Sequence, residues 1–485
     1  MGRILAYRLA QVGGGFLALP IRVAPAGFLP SATALIGVWL FFIGQSLVVV
    51  EMIVNEARHR RTTALSSDQS DGMDTVTQAD VGLPSIARRA LGGWGEKAVS
   101  SLLVILTMTT LVSQISKAGT MVAPAFSSCT STSSLGNLGS YRAACVTAAL
   151  SLGALVFAGG VTTAARVNVV LTGVFALSGA VLFTVGAPCA DWARLWNPCN
   201  WQAASQSIPT FLQLLVYSEI LPSVCVLLKH QMPALRTAVV CGSLLPLLVE
   251  VAWAGLGLGL TPLPSSRSAA SAGAAAASTL ADSVVDPVEL LLKAGGTVQL
   301  PLICLAAAAV STTVVGSYLA LGNTFSDLLT TARDSPGTAG AYNPKKARRS
   351  KRRQELTIAA LSTLPPLLVA CSSPDVFLSA IDFAGSYPVL LLWGVAPPWM
   401  ALTLRQRHRK EALWSRKQQS KKEAAKDGKF LARQSGDAKQ RESSGSDAWL
   451  LCLAVTSAVL VLASAIPDSR AAIVAAMAFL DKSRT

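Results

Sequence analysis

Three consecutive glycines interrupt the first apolar stretch of the chain. Gly13, Gly14 and Gly15 precede the run Phe16-Leu17-Ala18-Leu19-Pro20, and each glycine costs a helix about 1 kcal/mol relative to alanine. Non-helical backbone at membrane depth occurs where protein encloses it or where it lines a polar cavity. We therefore expect a broken helix whose freed N–H groups bind a ligand. Close packing between helices is the alternative explanation for the glycines.

The sixth apolar stretch carries polar groups just ahead of a proline. Tyr217, Ser218 and Glu219 place two hydroxyls and a carboxylate in an apolar run that ends at Pro222. Such a pattern predicts a second broken helix. The unwound carbonyls from Val216 to Ser218 would then accept hydrogen bonds from a cationic group.

Glu219 is the ionisable residue of greatest interest, because a charged group inside a membrane bundle is costly and is by default a candidate functional group. Two roles stay open for it. Its carboxyl could take up and release a proton, or it could form a structural ion pair with Lys117 in the third apolar stretch.

The composition is that of a membrane protein. The chain has 485 residues, of which 52% are hydrophobic and 14% charged, with a mean hydropathy of +0.49. A span of about 20 apolar residues crosses the bilayer, and eleven stretches are candidates. They lie at residues 4–26, 28–54, 98–125, 143–159, 167–187, 207–229, 237–260, 297–329, 356–371, 376–402 and 448–467. The ninth is the weakest, because Pro365 and Pro366 interrupt it.

The basic residues that give the net charge of +15 are distributed according to the order of the spans. Most of the 41 Lys and Arg residues fall in alternate loops, which places those loops and the N-terminus on the cytoplasmic side. The basic run at residues 345–353 is therefore expected to attract anionic lipid rather than nucleic acid. The membrane is predicted to be a plasma membrane or the inner membrane of an organelle, and the oligomeric state stays open.

Residues outside the spans support three further expectations. Arg8 lies close to the three glycines, and its cost inside a membrane helix suggests a truncated or misplaced start. Cys189 and Cys199 fall in one outer loop, so a disulfide is possible if that side is oxidising. Residues 84–97 are expected to form a short helix lying on the inner membrane surface.

The two interrupted spans predict the domain organisation. Each begins a set of five spans, as in transporters built from inverted repeats. We expect one transmembrane domain over residues 1–485, with a first repeat at about 1–187, a second at about 207–403 and an extra helix at about 448–467. Polar cytoplasmic loops are predicted at residues 55–96, 333–355 and 404–447.

The order and spacing of several segments resemble the tryptophan/tyrosine permease family of the amino acid, polyamine and organocation superfamily. The segments are Gly13-Gly14-Gly15-Phe16-Leu17-Ala18-Leu19-Pro20, Ala24-Pro25-Ala26-Gly27-Phe28-Leu29-Pro30, Gly242-Ser243-Leu244-Leu245-Pro246-Leu247 with Trp253, Ser311-Thr312-Thr313-Val314-Val315-Gly316, Leu364-Pro365-Pro366, and Pro374-Asp375-Val376-Phe377-Leu378-Ser379-Ala380 with Ala384-Gly385.

This resemblance implies an all-α polytopic membrane protein of the leucine-transporter type, with ten core helices in a 5+5 inverted repeat and an eleventh helix. It also implies uptake of a neutral aromatic amino acid, tyrosine or tryptophan, usually with protons. The substrate's carboxylate would bind N–H groups around Gly13, Gly14 and Gly15, and its ammonium the carbonyls near Val216 and Ser218.

The chain departs from the family pattern at two positions of the implied site. Tyr217-Ser218 replaces an aromatic-His pair, which leaves Glu219 as the nearest titratable group, and Gln114 stands where an aromatic residue is common. Both departures affect what can be expected of the substrate's identity and of the coupling ion more than what can be expected of the fold.

Thr312 and Thr313 match a hydroxyl pair that helps to bind sodium in sodium-coupled relatives of this fold. The alternative is that each hydroxyl bonds a carbonyl of its own helix. The coupling ion is thus a proton or sodium, and no other cofactor or metal is expected.

The leading function is a secondary active symporter of aromatic amino acids that works by alternating access. A sensor of the same fold that binds an amino acid without transporting it is one alternative, and a sodium-coupled transporter of another amino acid is a second. The sequence shows no polar stripe typical of a channel and no catalytic motif typical of an enzyme.

Overall fold

The structure is a computed structural model. It describes residues 14–66, 82–127, 134–196, 199–260, 298–333, 344–424 and 447–465. Throughout these ranges the regular structure is helical, without β-strands. Arg8, Gly13 and the rest of residues 1–13 lie outside the described part of the chain.

Fifteen helices cover most of these ranges. The first seven are α1 (Gly14–Val23), α2 (Phe28–Ser66), α3 (Leu83–Leu91), α4 (Gly93–Ser127), α5 (Ser134–Phe157), α6 (Gly160–Gly186) and α7 (Trp201–Gln206). The others are α8 (Ile208–Leu215), α9 (Leu221–Leu227), α10 (Met232–Leu260), α11 (Gln299–Arg333), α12 (Pro344–Ala370), α13 (Val376–Ala384), α14 (Ala396–Ala424) and α15 (Asp447–Ala465). Residues 385–395 form a π-helical connection between α13 and α14.

Nine stretches within the described ranges are long and apolar enough to cross a membrane. They are Phe28–His59, Gly93–Pro124, Leu138–Phe157, Gly160–Cys189, Ile208–Leu227, Met232–Leu260, Gln299–Ser326, Val376–Glu411 and Asp447–Ala465. The chain is therefore an all-α, multi-pass membrane protein. In the first predicted span only the ten-residue helix α1 is described, and the total of eleven and the 5+5 repeat stay predictions.

The described chain groups into two compact units. The first comprises Met1–Trp39, Val104–Leu215 and Cys241–Gly385, and the second Leu40–Leu103, Val216–Val240 and Ser386–Thr485, apart from the residues that are not described. In the first unit, α6 and α11 pack along each other. Its core includes the fully buried rings of Phe16, Trp253 and Tyr318.

Ion pairs join four helices within the second unit. Arg405 on α14 makes two hydrogen bonds to the carboxylate of Glu51 on α2, at 2.9 and 3.0 Å. Asp447, the first residue of α15, accepts from Arg405 at 3.3 Å and from Arg409 at 2.6 Å. Arg89 on α3 pairs with Glu56.

The short helix predicted at residues 84–97 is present as α3, but it ends at Leu91 and the next helix begins at Gly93. Its position relative to the membrane stays a prediction, and its apolar face packs on protein. Leu83, Ile86, Ala87 and Ala90 are at most 4% exposed, and α3 packs against α14. The apolar face is thus buried in protein. Amphipathicity predicts that one face is covered, but it does not identify what covers it.

The possible disulfide between Cys189 and Cys199 is not formed, and both thiols are free and exposed. The thiol of Cys199 instead donates to the carbonyl of Trp196 at 3.6 Å. Helix also extends into the three ranges predicted as polar loops, since α2 ends at Ser66, α12 begins at Pro344 and α14 ends at Ala424. Their Arg, Lys, Gln, Glu and Ala residues are good helix formers.

Candidate functional site

The first residues of α1 are tied to the middle of α11. The N–H of Gly14 donates to Oγ1 of Thr313 at 2.9 Å, and this hydroxyl in turn donates to the carbonyl of Ala309 at 2.8 Å. The first N–H groups of a helix have no partner within it. Thr313 therefore satisfies one of them and fixes where α1 begins.

Close neighbours favour glycine at the start of α1, most strongly at Gly14, where one neighbour is a backbone atom. A Cβ on Gly14 would clash with Oε1 of Gln114 and lie 3.0 Å from the Cα of Val310. A Cβ on Gly15 would lie 2.9 Å from Cδ2 of Leu214, near the end of α8. Close packing, the alternative explanation for the glycines, is therefore present, and it brings α1 against α4, α8 and α11.

Aromatic residues hold the next turn of α1. The indole N–H of Trp253 on α10 donates to the carbonyl of Phe16 at 3.0 Å. The Phe16 ring lies 5.3 Å from the ring of Trp253 and 5.6 Å from that of Phe175 on α6, measured between centroids. All three rings are at most 5% exposed, so this part of α1 is firmly packed.

A charged cluster holds the other end of α1. Arg22 forms an ion pair with Asp382 on α13, and the hydroxyl of Thr210 on α8 donates to Oδ1 of Asp382 at 2.7 Å. The hydroxyl of Ser207 donates to the carbonyl of Arg22 at 2.8 Å. Asp382 thus connects α1, α8 and α13 within the first unit.

The sixth predicted span is interrupted where the polar residues stand. Helix α8 ends at Leu215, Val216 and Tyr217 are not helical, and a 3-10 turn at Ser218–Ile220 leads into α9. Pro222 occupies the first turn of α9, where its missing N–H removes no helical bond. Because Leu214 lies against Gly15, α8 ends beside the start of α1.

Two glutamines carry unpaired acceptors in the first unit. Gln114 on α4 is 2% exposed, and no donor in the described part of the chain reaches its Oε1. The same holds for Oε1 of Gln213 on α8. A buried acceptor without a donor costs about 1–3 kcal/mol, so each of these oxygens is a candidate to accept a hydrogen bond from a ligand.

The remaining predicted site residues lie in separate surroundings. The ammonium of Lys117 is 5.1 Å from the centre of the Phe377 ring, and Lys117 is 6% exposed. In the second unit, Glu219 is exposed, whereas the Ser218 hydroxyl is buried 3.4 Å from that of Ser46. Tyr217 is 5% exposed and Val216 is partly exposed.

The hydroxyls of Thr312 and Thr313 both donate to the carbonyl of Ala309, at 2.9 and 2.8 Å. The bonds to the carbonyls of their own helix are therefore present. Thr313 differs from Thr312 in also accepting the N–H of Gly14.

Sequence reasoning missed several residues that the fold brings to this region. Three contacts were not predicted: Gln213 with Thr110 on α4, Trp253 with Phe16 on α1, and Arg22 of α1 with Asp382. The available signal was chemical. Gln213 is an amide and Arg22 a charge within apolar stretches, where such groups need partners.

Long apolar helices and an interrupted span beside a glycine-dependent helix start define this chain as a multi-pass membrane protein of transporter type. Comparison with known proteins identifies the family. The tryptophan/tyrosine permease family matches residues 8–417, and the chain belongs to this family. The expected resemblance is confirmed.

One curated relative is the tyrosine-specific transport system 1 of Haemophilus influenzae (strain ATCC 51907 / DSM 11121 / KW20 / Rd). It is 21% identical to this chain over 406 residues, which cover 81% of this chain and 87% of the relative. The family and this relative support aromatic amino acid transport and indicate a transporter rather than an enzyme.

Proposed function

We propose that this protein is a secondary active symporter that takes up tyrosine or tryptophan with protons by alternating access. The observation that carries the proposal is the contact of Gly15 with Leu214 in a member of the tryptophan/tyrosine permease family. The contact sets the start of α1 beside the end of α8, and helix ends carry the N–H and carbonyl groups that a helix leaves unpaired.

The substrate's head group is proposed to bind at these two helix ends. Thr313 occupies the N–H of Gly14, which leaves the N–H groups of Gly15 and Phe16 in the first turn of α1 for the carboxylate. The carbonyls at the end of α8 accept the ammonium. Gly14 contributes by having no side chain, which leaves space beside the first N–H groups.

Glu219 is the proposed proton carrier. It lies in the stretch Ile208–Leu227, which is long and apolar enough to cross the membrane, and its side chain is exposed. A carboxyl there needs polar surroundings, because facing lipid is costly. Access to water would let it exchange a proton during each transport cycle.

Uptake by the purified protein in liposomes tests this function. Labelled tyrosine, tryptophan and leucine are supplied without sodium, with and without an inward proton gradient. We expect saturable accumulation of tyrosine or tryptophan above the external concentration only with the gradient, and much weaker uptake of leucine. Liposomes without protein provide the background.

Other outcomes would replace the proposal. Accumulation that needs a sodium gradient and ignores the proton gradient would assign coupling to sodium, with Thr312 and Thr313 as the candidate ligands. Binding of tyrosine without any flux, in vesicles that retain an imposed pH gradient, would identify a sensor.

A further inference from the structure

The amide groups of Gln114 and Gln213 are oriented by hydroxyls of α4. Nε2 of Gln114 donates to Oγ of Ser113 and Nε2 of Gln213 to Oγ1 of Thr110, each at 3.2 Å. Both hydroxyls have already committed their hydrogens to carbonyls of α4, those of Thr110 and Leu106, at 2.8 and 2.9 Å. A hydroxyl whose hydrogen is used can only accept. Each amide must therefore present its NH₂ group to α4.

This orientation leaves both amide oxygens turned away from the hydroxyls. Each oxygen is buried, and within the described ranges no donor reaches it. Thr110 and Gln114 are four residues apart and share one face of α4. Since Thr110 is bonded to Gln213 and Oε1 of Gln114 lies against Gly14, this side of α4 meets both α8 and the start of α1.

Oε1 of Gln114 also lies next to the start of α1. A Cβ on Gly14 would clash with Oε1 of Gln114. Gln213 precedes Leu214, which contacts Gly15. Oε1 of Gln114 is therefore close to the helix start proposed to bind the substrate's carboxylate. Gln213 stands in the last turn of α8, whose end is proposed to bind the ammonium.

We propose that Gln114 and Gln213 form an acceptor pair for the side chain of the substrate. The pair receives the phenolic O–H of tyrosine or the indole N–H of tryptophan, and so selects these residues over phenylalanine, which has no donor. A site built to bond a substrate hydroxyl strongly rejects an analogue that lacks it, because its buried polar groups are left unpaired. The assignment rests on the proposed function and adds the basis of specificity.

Ligands that differ only in the donor test the acceptor pair in the unmodified protein. Competition with labelled tyrosine in liposomes compares phenylalanine with tyrosine, and 3-benzothienylalanine, in which sulfur replaces the indole N–H, with tryptophan. We expect each compound without a donor to bind about 100-fold more weakly than its partner. Equal affinities within either pair would overturn the acceptor pair while leaving aromatic transport intact.

Substitution tests whether the two glutamines cause the preference for ligands that carry a donor. Gln213→Leu and Gln114→Leu should reduce the preference for tyrosine over phenylalanine to about 3-fold or less, with phenylalanine binding retained. Gln202→Leu changes an exposed amide on α7 and should keep the full preference. Full preference in both Gln213→Leu and Gln114→Leu would overturn the proposal.

Two further results are decisive in different ways. A variant that binds none of the aromatic compounds gives no preference to compare, and the comparison of tyrosine with phenylalanine in the unmodified protein then decides. If the unmodified protein binds none of the aromatic compounds, the proposed function itself fails and the acceptor pair falls with it.

Discussion

The N–H of Gly14 donates a hydrogen bond to Oγ1 of Thr313, although the two residues are 299 positions apart in the chain. The bond attaches the start of α1 to the middle of α11 at 2.9 Å. Gly14 is buried, so this N–H has no access to water. The hydroxyl of Thr313 therefore has a structural task that the neighbouring Thr312 does not share.

Replacing Thr313 by valine should destabilise the protein more than replacing Thr312. Thr313→Val leaves the N–H of Gly14 without an acceptor, which costs about 1–3 kcal/mol. Thr312→Val removes only a bond to its own helix and should cost less than about 1 kcal/mol. Thermal unfolding of both variants in detergent measures the difference.

The variants Thr313→Val and Thr312→Val also test the alternative that the protein couples transport to sodium. If both hydroxyls bind sodium, both variants should lose sodium-dependent transport to a similar extent. Equal stability of the two variants would contradict the structural role assigned to Thr313.

A bulky residue at Gly14 should abolish uptake without preventing membrane insertion. Gly14→Leu places a side chain against Gln114 and the backbone of Val310, which cannot move aside as a flexible side chain could. The start of α1 must shift, and the helix end proposed to bind the substrate shifts with it. Tyrosine uptake per inserted molecule is the measurement.

Gly316→Leu is the matched control. Gly316 lies on the same helix as Val310, and a Cβ there has no neighbour within 4 Å. This variant should transport normally. Normal uptake by Gly14→Leu would refute the assignment of α1 to the site.

Local sequence predicted the interruption between α8 and α9, because its cause is local. A proline and three polar residues stand within one apolar run, and the helix stops at Leu215, six residues before α9 begins at Leu221. The long helices follow equally from apolar runs of sufficient length. These features depend on residues close together in the chain.

The partners of individual polar side chains could not be predicted in this way. Gln213 meets Thr110 across 103 positions, and Trp253 meets Phe16 across 237. Helical periodicity shows that a residue lies on a face, but it does not specify which helix packs there. The acceptor pair and the cluster at Asp382 thus became visible only in the fold.

The pair of Arg22 and Asp382 should show strong coupling in a double-mutant cycle. Their side chains are 25% and 32% exposed, and Thr210 also bonds Asp382. Combining Arg22→Ala with Asp382→Ala should give a coupling free energy of about 2 kcal/mol, toward the upper part of the range for contacting residues. Thermal unfolding of the single and double variants measures it.

The pair of Arg194 and Asp191 serves as the comparison. Asp191 is 55% exposed, and the two residues are neighbours on one turn. Their coupling should stay below about 1 kcal/mol. Equal coupling in both cycles would mean that the cluster at Asp382 does not hold α1, α8 and α13 together.

Glu219→Gln should separate exchange from accumulation. Glutamine keeps the size of the side chain but cannot carry a proton, so labelled tyrosine should still exchange across the membrane, independently of pH, without being concentrated by a proton gradient. Glu250→Gln is the matched variant, because Glu250 lies on α10 and is 1% exposed. A carboxyl without access to water cannot exchange a proton in this conformation, so Glu250→Gln should retain accumulation. Accumulation by Glu219→Gln would exclude Glu219 as the carrier, whereas failure of Glu219→Gln to fold would favour the structural role.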